Sequence, residues 1–81
     1  LSRRYISYGF SKEAIVKAKD LRFDNMTTFF NIEYYGENLG EFSIPMIGRH
    51  NVLNALASIA VAKELGIEMD IVKKALAGFT G

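Results

Sequence analysis

The chain has 81 residues, of which 49% are hydrophobic, 12% aromatic and 23% charged, with ten basic and nine acidic side chains. This mixture is typical of one small globular domain, and it excludes the charge-rich, aromatic-poor composition of a disordered chain. The formal charge of +1, spread along the sequence, predicts no binding to nucleic acid or to an anionic membrane.

Cysteine is absent, which excludes disulfides and thiolate metal sites and makes a reducing cytoplasm the expected location. The longest mostly apolar run, Val52 to Ala62, is too short to cross a bilayer, so we expect a buried helix there. The sequence begins at Leu1 instead of methionine, so the natural amino terminus and any signal peptide could lie upstream.

Residues 1–47 are predicted to form strands, because short apolar or alternating runs are separated by Gly, Asn and Asp. The segment Tyr5–Phe10 alternates with a period of two and predicts a first strand, which a turn over Ser11–Ala14 follows. The segment Ile15–Phe23 fits a helix or a strand, and we choose the strand.

A hairpin is predicted next. Asp24-Asn25 provides turn chemistry before Thr27–Tyr35, a half-buried strand, and Gly36–Gly40 is predicted to connect it to a returning strand. Pro45 indicates a sheet edge or a strand end. The inward residues of the two strands are predicted to be Phe30, Ile32, Tyr34, Phe42, Ile44 and Met46. Three strands are therefore antiparallel, while the first could belong to another sheet.

Residues 48–81 are predicted to form two helices. The first runs from about Asn51 to Leu65 and is stopped by Gly66, a residue suited to a left-handed cap. Its apolar side is wide and consists of Val52, Leu53, Leu56, Ile59, Ala60 and Val61. The second starts near Glu68 or Asp70. Its buried stripe is predicted to be Val72, Ala75, Leu76 and Phe79, with Lys73 and Lys74 facing solvent. The chain is thus α+β, about four strands followed by two helices.

Three polar side chains, His50, Asn51 and Asn54, stand at the start of the first helix. At about 100° per residue they fall within one arc of roughly 100° and point the same way. A carboxamide presents a donor beside an acceptor, which matches the N6 amino group and N7 of adenine. Asn54 is therefore a candidate for reading adenine.

The alternative for these residues is structural. Asn51 would then cap the helix, His50 would be a hydrogen-bonded turn residue and Asn54 would point to solvent. Arg49 is expected to be a surface cation. Carboxylates such as Glu13 with Asp20 have no spacing that sets up acid–base work, so no catalytic residue and no metal ligand is assigned.

The run Gly48–Ala62, Gly-Arg-His-Asn-Val-Leu-Asn-Ala-Leu-Ala-Ser-Ile-Ala-Val-Ala, closely resembles the motif that ends the central ATPase domain of the Mur ligase family. In that family too, a Leu-Gly-Ile turn and a second helix follow. Arg4–Phe10 and Gly40–Pro45 extend the resemblance over nearly the entire chain.

The resemblance implies an α/β parent domain of the P-loop type with a mostly parallel sheet, of which residues 1–81 are the C-terminal part, with strands and hairpin in 1–47 and two helices in 48–81. His50 and Asn54 match the family's adenine contacts, and Asn51 matches an asparagine that supports the ATP site. The family members most similar to this chain use ATP and Mg²⁺ to join L-alanine to UDP-N-acetylmuramate through an acyl phosphate, in peptidoglycan synthesis.

The sequence contains no Gly-x-x-x-x-Gly-Lys-Ser/Thr run, so nothing in it cradles a triphosphate. By the resemblance, the phosphate loop, the Mg²⁺ ligands and the two substrate domains lie outside these residues, and an isolated fragment is expected to be inactive. Two alternatives stay open: a related ligase that acts on murein peptides, and a free-standing module that binds a protein through an edge strand and an apolar helix surface.

Overall fold

The computed structural model describes residues 6–78 and contains a four-stranded sheet followed by two helices. The strands are β1 (Tyr8–Gly9), β2 (Val16–Asp24), β3 (Thr27–Tyr34) and β4 (Glu37–Ile44), and the helices are α1 (Arg49–Leu65) and α2 (Met69–Ala77). The predicted order of four strands and then two helices is confirmed. The predicted roles of Tyr5 and Phe79 lie outside the described residues.

Strand β1 belongs to the same sheet as the other three, contrary to the expectation that it could form part of another. It pairs in parallel with β2, with Tyr8 opposite Val16, and the strand order is β1-β2-β3-β4. Of the described part of the predicted Tyr5–Phe10 strand, only Tyr8–Gly9 pairs with β2. The predicted turn follows, where Ala14 N donates to Ser11 O at 3.1 Å.

Strand β2 contains a bulge, which explains why its sequence fitted a helix or a strand. Lys19 pairs with Asn31 and Arg22 pairs with Phe29. Two residues of β2, Asp20 and Leu21, therefore lie opposite one residue of β3, Phe30. Asp20 takes a positive φ of 57° there, and its carboxylate accepts a hydrogen bond from Asn31 Nδ2 at 3.0 Å. The extra residue interrupts the period-two alternation on which a strand is recognised.

The β3–β4 hairpin turns over two residues, Tyr35 and Gly36, with φ values of 51° and 83°. The prediction that Gly36–Gly40 forms the connection is wrong, because Glu37 already pairs with Tyr34 and Asn38 with Glu33. A bulky residue such as Tyr35 rarely adopts a positive φ, so the pattern pointed to the glycines instead. Met46 likewise lies beyond β4, which ends before Pro45.

Both helices cover the same face of the sheet, and the core lies between that face and the helices. The fully buried side chains are Phe30, Phe42, Ile32, Ile44, Leu56, Ile59, Val16, Val52 and Thr28.

Helix α1 begins two residues earlier than predicted, after Gly48, and ends at Gly66, whose φ of 77° confirms the predicted left-handed cap. Val61 is 58% exposed and is not part of the core, contrary to the predicted apolar side. Neither described helix has the length and apolar content needed to cross a bilayer.

Helix α2 packs mainly against β4 and buries Val72 and Leu76, as predicted. Ala75 is exposed, contrary to prediction, because the Val72–Leu76 stripe faces the sheet and Ala75 lies on the open flank of this outer helix. Lys74 is exposed as predicted, whereas Lys73 is half-buried and extends its ammonium group to 5.1 Å from the Phe42 ring centroid. A lysine stem folded over an aromatic ring contributes packing as well as charge.

The outer face of the sheet carries three ion pairs within residues 6–78. Glu33 bridges Lys17 and Lys19, and Arg22 pairs with Glu41 at 3.2 Å. The hydrogen bond from Lys19, together with that from Lys17, lowers the pKa of Glu33 below its ordinary value of 4.5. The same bond to Glu33 raises the pKa of Lys19. The Ser11 hydroxyl lowers the pKa of Glu13 in the exposed turn.

Replacing Glu33 with glutamine should remove a stabilising contribution that is present at neutral pH and absent in acid. Because the folded-state pKa of Glu33 is depressed, its contribution is present above the unfolded-state pKa and is lost as pH falls through the folded-state pKa. Unfolding curves of the two proteins should therefore differ at pH 7 and converge once the pH falls below the lowered folded-state pKa of Glu33. The matched control is Glu37→Gln, at an exposed site outside these ion pairs. A difference that persists at low pH would contradict this assignment.

Candidate functional site

A short connection, residues 45–48, leads from β4 into α1 and places the first turn of the helix beside the end of the strand. Gly48 begins the helix with a φ of 116°, and its carbonyl accepts from Asn51 N at 3.1 Å and Val52 N at 3.2 Å. Residues with a Cβ rarely adopt a φ of 116°, so glycine is favoured at this position.

Asn51 holds this connection in place. Its Nδ2 donates to the carbonyl oxygen of Ile47 at 2.9 Å, and the side chain is half-buried. The alternative in which Asn51 caps the helix is wrong, because Gly48 occupies the N-cap position and no side-chain cap is formed. Asn51 therefore stabilises the loop before the helix with its own amide group.

His50 and Asn54 lie one turn apart on the surface of α1, and the structure brings their side chains together. Asn54 Nδ2 is 3.5 Å from His50 Nε2, and both residues are exposed. A neutral imidazole nitrogen accepts one amide hydrogen at most, so Asn54 retains its oxygen and its second N–H for another partner. The predicted common orientation of these two residues is confirmed.

A cleft of about 310 Å³ lies next to this turn, between α1, α2 and the end of β4. Asn51 and Asn54 line it, whereas His50 does not. The remaining lining residues are Ile44, Met46, Ala55, Ser58 and Leu76. A mostly apolar wall with a few polar groups is typical of sites that bind small molecules.

The sequence did not identify Met46 as part of this cleft. Period-two alternation placed it on the inward face of β4, but the strand ends at Ile44 and Met46 lies in the connection. Its backbone carbonyl accepts a hydrogen bond from the Thr28 hydroxyl at 2.7 Å, and the Thr28 side chain is fully buried. Pro45 signals the strand end, but nothing local in the sequence indicates the pairing with Thr28.

Arg49 lies against the ring of Phe10, with its guanidinium carbon 4.1 Å from the ring centroid. This contact ties the start of α1 to the segment that follows β1. It also occupies one face of the guanidinium with an aromatic ring, as expected for a cation–π pair at a protein surface. Arg49 therefore links two elements of the fold next to the candidate site.

Comparison with known proteins places these features in a family. Residues 2–62 match the Mur ligase middle domain. The UDP-N-acetylmuramate--L-alanine ligase of Sorangium cellulosum is 46% identical over 81 residues, which cover 100% of this chain and 17% of the relative. The enzyme of the same name from Brachyspira hyodysenteriae is 45% identical over 82 residues, covering 99% of this chain and 18% of the relative.

Solved structures of Mur ligases contain a similar fold. The UDP-N-acetylmuramate-alanine ligase MurC from Thermotoga maritima superimposes with a TM-score of 0.85 at 30% identity, covering 94% of this chain and 17% of that one. MurF from Acinetobacter baumannii superimposes with a TM-score of 0.78 at 25% identity, covering 94% of this chain and 16% of that one.

The chain thus spans less than a fifth of the length of these curated relatives, at 17% and 18%. The family match nevertheless extends over residues 2–62, and the 46% identity extends over the whole chain. The resemblance seen in the Gly48–Ala62 run is therefore confirmed, and the chain belongs to the Mur ligase family, within the part known as the middle domain.

Proposed function

We propose that residues 1–81 form the C-terminal part of the ATP-binding central domain of an amide ligase, and that the full-length protein joins L-alanine to UDP-N-acetylmuramate through an acyl phosphate. The identity of 46% to a ligase of that name, across the whole chain, supports this substrate pair. The reaction would serve peptidoglycan precursor synthesis in the cytoplasm, and so growth, division and cell shape.

The contribution of this chain is recognition of the adenine of ATP. The observation that carries this proposal is the exposed carboxamide of Asn54, which lies 3.5 Å from His50 and lines a cleft wide enough for a heterocycle. The free oxygen of Asn54 accepts from the adenine N6 amino group while its N–H donates to N7. His50 adds a second polar contact beside it, and Asn51 supports both by holding the Ile47 carbonyl.

The triphosphate and the metal belong to other parts of the proposed enzyme. Residues 6–78 contain no group of three or more His, Asp or Glu side chains that could hold Mg²⁺. The sequence also has no phosphate-binding Gly-Lys-Ser/Thr loop. When bound, Mg²⁺ offsets the negative charge of the nucleotide phosphates. This chain alone is therefore expected to bind ATP weakly and to catalyse nothing.

The alternatives differ in how well the observations support them. A related ligase acting on murein peptides would share this adenine site, since the amino acid and sugar bind elsewhere. A free-standing interaction module is supported by the exposed apolar side chains of Val61 and Leu65, at 58% and 70% exposure. The match of the whole chain to ligases does not favour it.

An assay of the full-length protein tests the proposed reaction. Phosphate release from ATP with Mg²⁺ should require both UDP-N-acetylmuramate and L-alanine, since the acyl phosphate forms on the muramate carboxylate and is consumed by the amine. Omitting either substrate should reduce release to background, and replacing L-alanine with a murein tripeptide should not restore it. Release that depends on the tripeptide instead would establish the related ligase and overturn this substrate assignment.

A further inference from the structure

The cleft beside Asn54 offers more than a polar edge, because its opposite wall is apolar. Asn54 and Asn51 stand on the α1 side, while Met46 and Ile44 come from the end of β4 and Leu76 from α2. His50 touches the Asn54 carboxamide but does not line this space. Asn54 and Met46 line the same space, so a group that hydrogen-bonds to Asn54 from within the cleft also lies near Met46.

The polar wall of the cleft suits the edge of a purine ring, and the apolar wall suits its faces. A carboxamide that pairs with the N6 and N7 edge lies in the plane of the ring, so the ring faces require apolar contacts from other residues. A methionine thioether is polarisable and packs favourably against aromatic rings. Met46 is half-buried in this structure, so it already stands at the border between the core and the open cleft.

Thr28 fixes the position of Met46. Its hydroxyl donates to the Met46 carbonyl at 2.7 Å although the side chain is completely buried in the core. A buried hydroxyl is costly unless it is hydrogen-bonded, so this bond determines where the chain runs after β4 ends. Pro45 restricts the backbone just before it. Met46 is thereby held at the cleft by two constraints outside the regular strand.

We propose that Met46 is a base-contacting residue, whose thioether packs against the face of the adenine ring while Asn54 reads the ring edge. This inference rests on the proposed adenine role of Asn54 and adds a residue that the sequence pattern assigned to a strand. It predicts that purine affinity depends on the shape and apolar character of residue 46.

The direct test is methyl NMR of the full-length protein with ¹³C-labelled methionine methyl groups. Adding ATP should move the Met46 methyl signal upfield, because a methyl group over an aromatic ring experiences its ring current. The signal is assigned by its loss in Met46→Leu. Met26, 66% exposed at the tip of the β2–β3 hairpin, is the internal control and should not move. A Met46 signal that stays in place at ATP saturation would overturn the proposal.

Kinetics of the full-length enzyme provide the second readout. Met46→Ala should raise the KM for ATP about tenfold through loss of apolar contact, with the KM for the sugar nucleotide unchanged. Met46→Leu should stay within about twofold of wild type, because it keeps volume and apolar character. Met26→Ala should have no effect on either constant. Equal increases in both KM values for Met46→Ala would indicate general damage and contradict the proposal.

The outcome separates this inference from the function on which it rests. If Asn54→Ala raises the KM for ATP while Met46→Ala leaves it unchanged, adenine recognition stands and the Met46 wall is rejected. If neither substitution changes the KM for ATP, both are rejected together.

Discussion

Replacing Asn54 with alanine in the full-length enzyme is expected to raise the KM for ATP by about 5- to 150-fold, while the KM for UDP-N-acetylmuramate stays within about twofold. The range corresponds to the ~1–3 kcal/mol that a bidentate carboxamide–adenine pair contributes to base discrimination. Asn54 is exposed, and its side chain reaches only His50 among the hydrogen bonds of the described residues. Its loss should therefore leave the fold intact.

A matched control distinguishes this effect from a general one. Asn31→Ala removes the same side chain from the outer face of the sheet, where Nδ2 donates to Asp20. It should leave both KM values unchanged, because that face is opposite the helices and the cleft. Steady-state kinetics of the two variants, with thermal unfolding to verify the fold, provide the comparison. An unchanged KM for ATP in Asn54→Ala would contradict the proposed adenine contact of Asn54.

Replacing Phe30 with alanine is expected to lower the free energy of unfolding by about 3–5 kcal/mol. Phe30 has no exposed surface, and its ring lies 6.4 Å from that of Phe42, between β3 and the helices. A small domain has only ~5–15 kcal/mol of stability in total, so this loss would be a large fraction of it. Urea denaturation of the 81-residue chain, followed by circular dichroism, measures the change.

The control for this change is Phe23→Ala, which removes the same group from a site that is 53% exposed near the tip of the β2–β3 hairpin. Little apolar surface leaves the core there, so the loss should be below about 1 kcal/mol. Equal losses for the two variants would mean that the core does not lie where the structure puts it.

The regular parts of the fold were predictable because they follow local rules. Alternation of apolar residues identified β3, and the glycine at position 66 marked the end of α1. Helical spacing at about 100° per residue was sufficient to place His50 beside Asn54. Each of these features depends on residues that are close together in sequence, where periodicity and capping preferences act.

The rest depends on contacts between distant residues. The bulge at Asp20 is stabilised by Asn31 across the strand pair, and the half-buried state of Lys73 arises from its contact with Phe42. The two-residue turn places Tyr35 at a positive φ that its residue type disfavours, so sequence preference pointed elsewhere. In each case tertiary contacts override a local preference, and the pattern of a single segment contains no record of them.

The candidate site divides in the same way. The polar residues of the first helical turn stood out because they interrupt an otherwise apolar helix. The cleft could not be recognised from the sequence, because residues of β4, α1 and α2 form it together. Met46 is the clearest case, since the Thr28 hydroxyl that holds its carbonyl is eighteen positions away in the sequence.

The most direct test of adenine recognition by Asn54 compares ATP with inosine triphosphate in the wild-type enzyme and in Asn54→Ala. Inosine carries a 6-oxo group where adenine has its N6 amino donor, so the carboxamide oxygen loses its partner. We predict a KM for inosine triphosphate at least about tenfold above that for ATP in the wild type, and nearly equal values in the variant. Discrimination of the same size in both proteins would show that another residue reads the base.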